Sequence, residues 1–318
     1  MSSAVQAPSL PAGYTQRPAT LDDIERIGGL FGRSEAALGL RAEDQEEFLR
    51  WAMALPYVAL ERDSVILEHD GQAAAFCGVI RDPAAVGSAL DWFGVVDPAH
   101  LARGLGGWLI RWAFAVAALR SSDEGPFELR TNVPGPDDAA HDLLTAHGLT
   151  HVRTMWGMHR AVADAVPAPP PEGVTIRTFE TGRDERTFWE VSETAFEGHF
   201  GHVPSPFDSF EGEWYSSHDW NPDRVLLAER SGAVVGELAW VGQGDDGYIA
   251  NVGVLEAHRG KGIGTALLRA AFVDIAAAGF ANATLGVDTE NATGAVGVYR
   301  SVGMEPVRES HVFERPAS

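Results

Sequence analysis

Residues 251–264 read Asn-Val-Gly-Val-Leu-Glu-Ala-His-Arg-Gly-Lys-Gly-Ile-Gly, and the apolar run TALLRAAFVDIAAAG follows from Thr265. Glycines at Gly260, Gly262 and Gly264 let a backbone come close to a ligand. A helix opening near Thr265 aims its unpaired N–H groups at the same place, which favours a phosphate or pyrophosphate. Arg259 and Lys261 add positive charge, and Lys261 is the single lysine of the chain. An ordinary glycine turn before a helix is the plainer alternative. A dinucleotide fingerprint would need G-x-G-x-x-G and an acidic residue about 20 positions on. A nucleotide triphosphatase loop would end in Gly-Lys-Ser/Thr. The stretch fits neither, and reads instead as Arg-x-x-Gly-x-Gly.

Working outward, the elements around this loop occur twice. WFGVV from Trp92 leads into ARGLGG from Ala102, as YIANVGV from Tyr248 leads into HRGKGIG from His258. Each loop opens an apolar helix, then a strand (FELRTNV; ATLGVDT), a short helix ending in Gly148 or Gly303, and a last strand. Upstream of each lies a hairpin around Asp70-Gly71 or Ser231-Gly232. The order predicts an α/β fold built as two tandem domains, each a mixed, twisted β-sheet flanked by helices. The Ala/Pro-rich run from Ala161 to Pro171 reads as a semi-rigid linker. The expected organisation is a domain over 1–163, a linker over 164–173 and a second domain over 174–318.

The chain has 318 residues, enough for roughly two domains of about 150. Its 45% hydrophobic and 22% charged residues are globular proportions, which excludes wholesale disorder. A net charge of −21 repels nucleic acid and anionic lipid. No apolar stretch is long enough for a membrane span, the start lacks a signal-peptide pattern, and a lone Cys77 forms no internal disulfide. A soluble cytoplasmic protein, without nucleic acid or membrane partners, is expected.

The loop, together with Val252-Gly253-Val254 before it, resembles the pyrophosphate loop of the GCN5-related N-acetyltransferase (GNAT) superfamily. A second stretch, Asn291 to Gly303-Met304 with Tyr299 inside it, is similar to that superfamily's asparagine, tyrosine and Gly-Phe segment, with Met304 in place of the usual phenylalanine. The tandem arrangement resembles the class of the mycothiol synthases, which acetylate a cysteinyl amine of a glucosaminyl-inositol conjugate. The resemblance implies an acetyl-CoA-dependent N-acetyltransferase acting on a primary amine of a small molecule by direct transfer in a ternary complex. Acetylation of a protein amine and a non-catalytic acyl-CoA sensor are the alternatives.

The resemblance also assigns residues. Val252, Gly253, Val254, Arg259, Gly260, Lys261, Gly262, Ile263, Gly264, Thr265 and Asn291 would hold acetyl-CoA, and Tyr299 would protonate the leaving thiolate. In many relatives a glutamate eleven residues before the loop's arginine is the base; here Tyr248 stands there, which marks a relative within the tandem class rather than a synthase of that type. A phenol is a poor base at its ordinary pKa near 10, so Tyr248 is expected to orient a water or the acceptor, and deprotonation is open between Asp246, Glu237 and water. His199 and His202, with Glu237, are candidate acceptor contacts in an aromatic-rich insertion that includes Trp214, Tyr215 and Trp220; a satellite apolar cluster is the alternative. Two histidines fall short of a metal site, so no metal is expected. Aligned on Arg103 and Arg259, Trp108 falls opposite Gly264; aligned on Gly148 and Gly303, Leu144 falls opposite Tyr299. The first domain is therefore expected to be degenerate. The partners are acetyl-CoA and a small amine, and the assembly a monomer or homodimer.

Overall fold

In the computed structural model of the protein, residues 8–41, 45–81, 89–210, 220–291 and 293–316 are described. Both hairpins form on their predicted turns. Asp70 and Gly71 have φ of +50° and +74°, and Ser231 and Gly232 have +53° and +80°. Positive φ at both central residues is the geometry of a type I′ turn, whose twist matches the flanking strands. They join β2 (Ser64–His69) to β3 (Gln72–Ile80) and β8 (Val225–Arg230) to β9 (Ala233–Gln243).

The first unit contains Met1–Thr154 and Ser310–Ser318, the second Met155–Glu309. In the first, β1 (Thr15–Arg17), β2, β3, β4 (Leu90–Val96), β5 (Glu128–Pro134) and the last residues of β12 (Glu305–Pro316) lie in that order. In the second the order is the end of β6 (Thr150–Ala161), β11 (Asn282–Asp288), β10 (Asp246–Val254), β9, β8 and β7 (Val174–Thr178). The β4–β5 and β10–β11 pairs are parallel while their other described neighbours within each unit are antiparallel, so the strands of each unit are mixed.

The Ala/Pro run is not the seam between the units, which corrects the expected boundary. Both its ends lie in the second unit. Residues 155–161 of β6 pair with β11, while residues 310–316 of β12 pair with β5. Each half thus keeps the closing strand that comes later or earlier in the chain than a linear cut allows. Val162 is fully buried, with its N–H bonded to the Ala281 carbonyl at 3.0 Å.

In each unit a long apolar helix packs on one face of the sheet. These are α4 (Leu105–Glu124) in the first unit and α7 (Ile263–Ala277) in the second. Leu267, Leu268, Ala271, Phe272 and Ile275 bury the α7 stripe against Leu238, Ile249 and Leu285. On the opposite face lie α1 (Ile24–Ala37), α2 (Gln45–Ala54) and α3 (Leu60–Asp63) in the first unit, and α6 (Glu185–Phe196) in the second. Phe188 of α6 packs there on Leu227 and Ala239. The short helices α5 (Asp138–Ala146) and α8 (Ala295–Ser301) precede the last strands.

The helix caps fix how the two loops correspond, and they overturn the alignment on arginines. Gly104 and Gly262 are both left-handed caps, each one residue before its helix. Aligned on these caps, Arg103 falls opposite Lys261, Gly106 opposite Gly264 and Trp108 opposite Ala266. Leu101 takes the place of Arg259. Trp108 fills no phosphate position: it is fully buried in the core of the first unit, its indole N–H bonded to the Pro8 carbonyl at 3.0 Å.

Candidate functional site

The glycine loop has the backbone that its sequence demands. After β10 a 3-10 turn over Glu256–His258 leads to Gly260 and Gly262, at φ +70° and +77°, a region that side chains other than glycine adopt at a cost. The Ala266 N–H bonds the Gly262 carbonyl at 3.0 Å, so the amides of Ile263, Gly264 and Thr265 precede the first helical bond. A β-carbon at Gly264 would meet Val254 Cγ2 only at 3.8 Å and Val298 Cγ1 at 4.0 Å, so the glycine leaves space rather than relieving a clash. The exposed Lys261 ammonium bonds the Ala257 carbonyl at 2.7 Å. Arg259 donates from Nε to the Val254 carbonyl and from a terminal nitrogen to the Ala195 carbonyl, both at 3.0 Å. Asn291 closes the turn before α8, its side-chain oxygen accepting from the Thr293 N–H at 2.9 Å.

Two irregularities of β10 build the rest. Its parallel register with β11 runs from Asp246–Asn282 to Tyr248–Thr284 and stops, leaving the β11-facing edge beyond Tyr248 without recorded strand pairing. A bulge between Ile249 and Asn251 then shifts its register with β9. Because Tyr248, Asn251 and Gly253 pair with Val241, Ala239 and Glu237, the bulge turns all three toward one face. That face meets α6: the buried Asn251 amide donates to Ser192 Oγ at 2.8 Å. The Ser192–Asn251 pair was not foreseen, since neither residue carries a motif signal.

Gly253 is tightly enclosed. A β-carbon there would lie 2.6 Å from Glu237 Oε1 and 2.8 Å from the Ala195 β-carbon, so the middle residue of Val-Gly-Val must be glycine. Glu237 itself is fully buried, and neither carboxyl oxygen has a hydrogen-bond partner among the described residues. Burial alone pushes its pKa up to about 8. The buried Tyr299 phenol is pushed up to about 12, first by burial and then by Glu237 and Tyr248. These three groups therefore share one electrostatic neighbourhood. The Tyr248 hydroxyl lies 3.7 Å from where a Gly286 β-carbon would stand. Asp246 sits at the opposite end of β10 from the loop and accepts from the Asn282 amide at 2.7 Å. Of the proposed carboxylates, Glu237 is the one brought to Gly253.

His199 follows the end of α6 and packs edge-on against Phe196, ring centroids 4.8 Å apart. Phe196 in turn lies 3.4 Å from the position of a Gly253 β-carbon. Burial lowers the His199 pKa, as do Arg259 and His202, against Asp288. Its Nε2 is buried without a hydrogen-bond partner among the described residues. His202 lies 3.4 Å from the Glu193 carboxylate. Trp220 joins the cluster of Phe179, Phe188 and Phe210, whereas Trp214 and Tyr215 lie outside the described residues. Among the described residues no three His, Cys, Asp or Glu side chains could hold a metal ion, and no helix is long and apolar enough to cross a membrane.

The first unit carries different side chains at the matching places. Five residues past the turn glycine, Phe76 stands where Glu237 does. The last turns of α5 and α8 close alike, with Leu149 N–H on Leu144 and Met304 N–H on Tyr299, which sets Leu144 opposite Tyr299.

The model of the acetyltransferase (GNAT) family matches residues 188–304. A mycothiol acetyltransferase of Thermobispora bispora is 32% identical over 301 residues, covering 89% of this chain and 93% of its own. Among solved structures, a GCN5-related N-acetyltransferase from Sphaerobacter thermophilus superposes with a TM-score of 0.83 at 28% identity, over 97% of both chains. A tandem GNAT protein from the clavulanic acid biosynthesis pathway shares the fold, with a TM-score of 0.69 at 17% identity over 96% of this chain and 99% of its own.

Proposed function

The chain belongs to the acetyltransferase (GNAT) family, and from that premise we propose that its second unit transfers the acetyl group of acetyl-CoA directly to a primary amine of a small molecule. When bound, acetyl-CoA supplies the activated acyl group. The amides of Ile263, Gly264 and Thr265, with the Lys261 ammonium, suit its pyrophosphate. The open β10 edge from Val252 to Val254 offers backbone N–H groups to the pantetheine arm and the thioester oxygen.

Glu237 is the general base in this reading. Its carboxylate takes a proton from the acceptor ammonium, and the freed amine forms the new C–N bond as the C–S bond breaks. Tyr299 O–H gives its proton to the departing thiolate and is restored by the second proton that the acylated nitrogen sheds, and Tyr248 orients the acceptor beside Gly286. The observation that supports the reading is the burial of the Glu237 carboxyl beside Gly253 with no hydrogen-bond partner among the described residues. An isolated buried carboxyl costs stability unless a ligand completes it, and an ammonium is the group that would. The first unit, with Phe76 and Leu144 at the matching places, has neither base nor acid and is non-catalytic in this account.

The test is release of CoA thiol from acetyl-CoA with a panel of amines, headed by the cysteinyl glucosaminyl-inositol conjugate that the sequence resemblance implies. Turnover with at least one small amine is expected. Binding without turnover across the panel would favour a sensor, and turnover only with peptides a protein substrate. In calorimetry Gly264→Trp should abolish acetyl-CoA binding by filling the space before the helix amides, whereas Trp108→Ala, a core truncation in the first unit, should lower stability but leave the affinity of the folded protein nearly unchanged. Normal calorimetric binding by the Gly264 variant would contradict the loop assignment.

A further inference from the structure

The loop's arginine is spent on the protein's own backbone. The Ala195 carbonyl belongs to the last turn of α6, where carbonyls lack helical partners. A guanidinium there satisfies one of them and complements the negative helix end. The same guanidinium holds the Val254 carbonyl, at the end of the strand that carries Gly253. Ala195 is also the residue pressed on Gly253, and Phe196 and His199 come directly after it. One side chain therefore ties the cofactor loop, the strand edge and the segment over Glu237 together. In the first unit the matching position is Leu101, 59% exposed, which can make no such bonds.

Resting on the acetyl-CoA reading above, we infer that Arg259, its guanidinium bonded to the Val254 and Ala195 carbonyls, is a positioning residue and not the acetyl-CoA contact that its motif suggested: it locks the end of α6 over the thioester-binding edge and so couples filling of the cofactor loop to closure of the acceptor side. The planar fork explains why arginine serves and lysine would not, since a single ammonium cannot span both carbonyls in the same geometry.

The experiment measures acetyl-CoA affinity by calorimetry, and amide hydrogen exchange over residues 195–201 with and without saturating acetyl-CoA. It compares the wild type with Arg259→Leu and Arg259→Lys. In the wild type, acetyl-CoA should slow exchange in that segment by about tenfold. Both variants should keep acetyl-CoA affinity within about threefold, lose the protection, and raise the KM of the best amine by about tenfold or more with a smaller change in kcat. Loss of acetyl-CoA affinity in the leucine variant, restored by lysine, would make Arg259 a phosphate ligand and overturn the inference. Protection unchanged in both variants would overturn it as well. A wild type that binds no acetyl-CoA would overturn the acetyl-CoA reading itself, and this coupling with it.

Discussion

Glu237→Gln is expected to lower turnover by about 10² to 10⁴ at pH 8 while leaving acetyl-CoA affinity unchanged. Glutamine keeps the shape of the side chain in the space beside Gly253 but cannot accept the proton. With its pKa near 8, the wild-type carboxyl is protonated below that value and becomes a base above it. The rate should therefore rise with pH through about 8, and the variant should lose that limb. An acceptor whose own pKa lies well above 8 stays an ammonium across the range and keeps its titration clear of that limb. Folding supplies a control of opposite sign. The folded carboxyl holds its proton more tightly than the unfolded one, so wild-type stability falls as pH rises from about 4.5 to about 8. The variant lacks that slope and should melt no lower than the wild type at pH 8. A variant with wild-type turnover and an unchanged acidic limb would remove Glu237 from the chemistry.

Tyr299→Phe is the second large effect. It keeps the ring that packs within the α7-side core and removes only the O–H. Turnover should fall by about 10² to 10⁴ with acetyl-CoA affinity held. A phenol pushed up to about 12 stays protonated across the neutral range, as a proton donor must. Esters of better leaving thiols should lose less, because they depart without a proton. An unchanged rate with acetyl-CoA would mean that the thiolate leaves unprotonated or that another donor serves.

The glycine loop was legible because its constraints are local. Positive φ at Gly260 and Gly262 and an apolar helix after them can be read from spacing alone. The internal repeat was legible for the same reason. The register within it was not: matching Arg103 to Arg259 misplaced Trp108, because helix caps, not charges, set where the two loops correspond. The longer α4, 20 residues against 15 in α7, lets the spacing change between the loop and the closing turns. The unit boundary was hidden because strand pairing, unlike linker composition, is long-range. Glu237 stood among several carboxylates in the sequence. What singles it out is the bulge at Ala250, which turns Gly253 toward it, and no periodicity announces a bulge.

In this mechanism Glu237, on the strand next to Tyr248, is the base. The double variant Glu237→Gln with Tyr248→Glu tests it most directly, measured as kcat/KM for the best amine against both single variants and the wild type. Tyr248→Glu alone is expected to lower activity, by removing the phenol that orients the acceptor. In the double variant the new carboxylate should recover at least about tenfold over Glu237→Gln. A double variant no more active than Glu237→Gln, or a Tyr248→Glu enzyme clearly faster than the wild type, would contradict it.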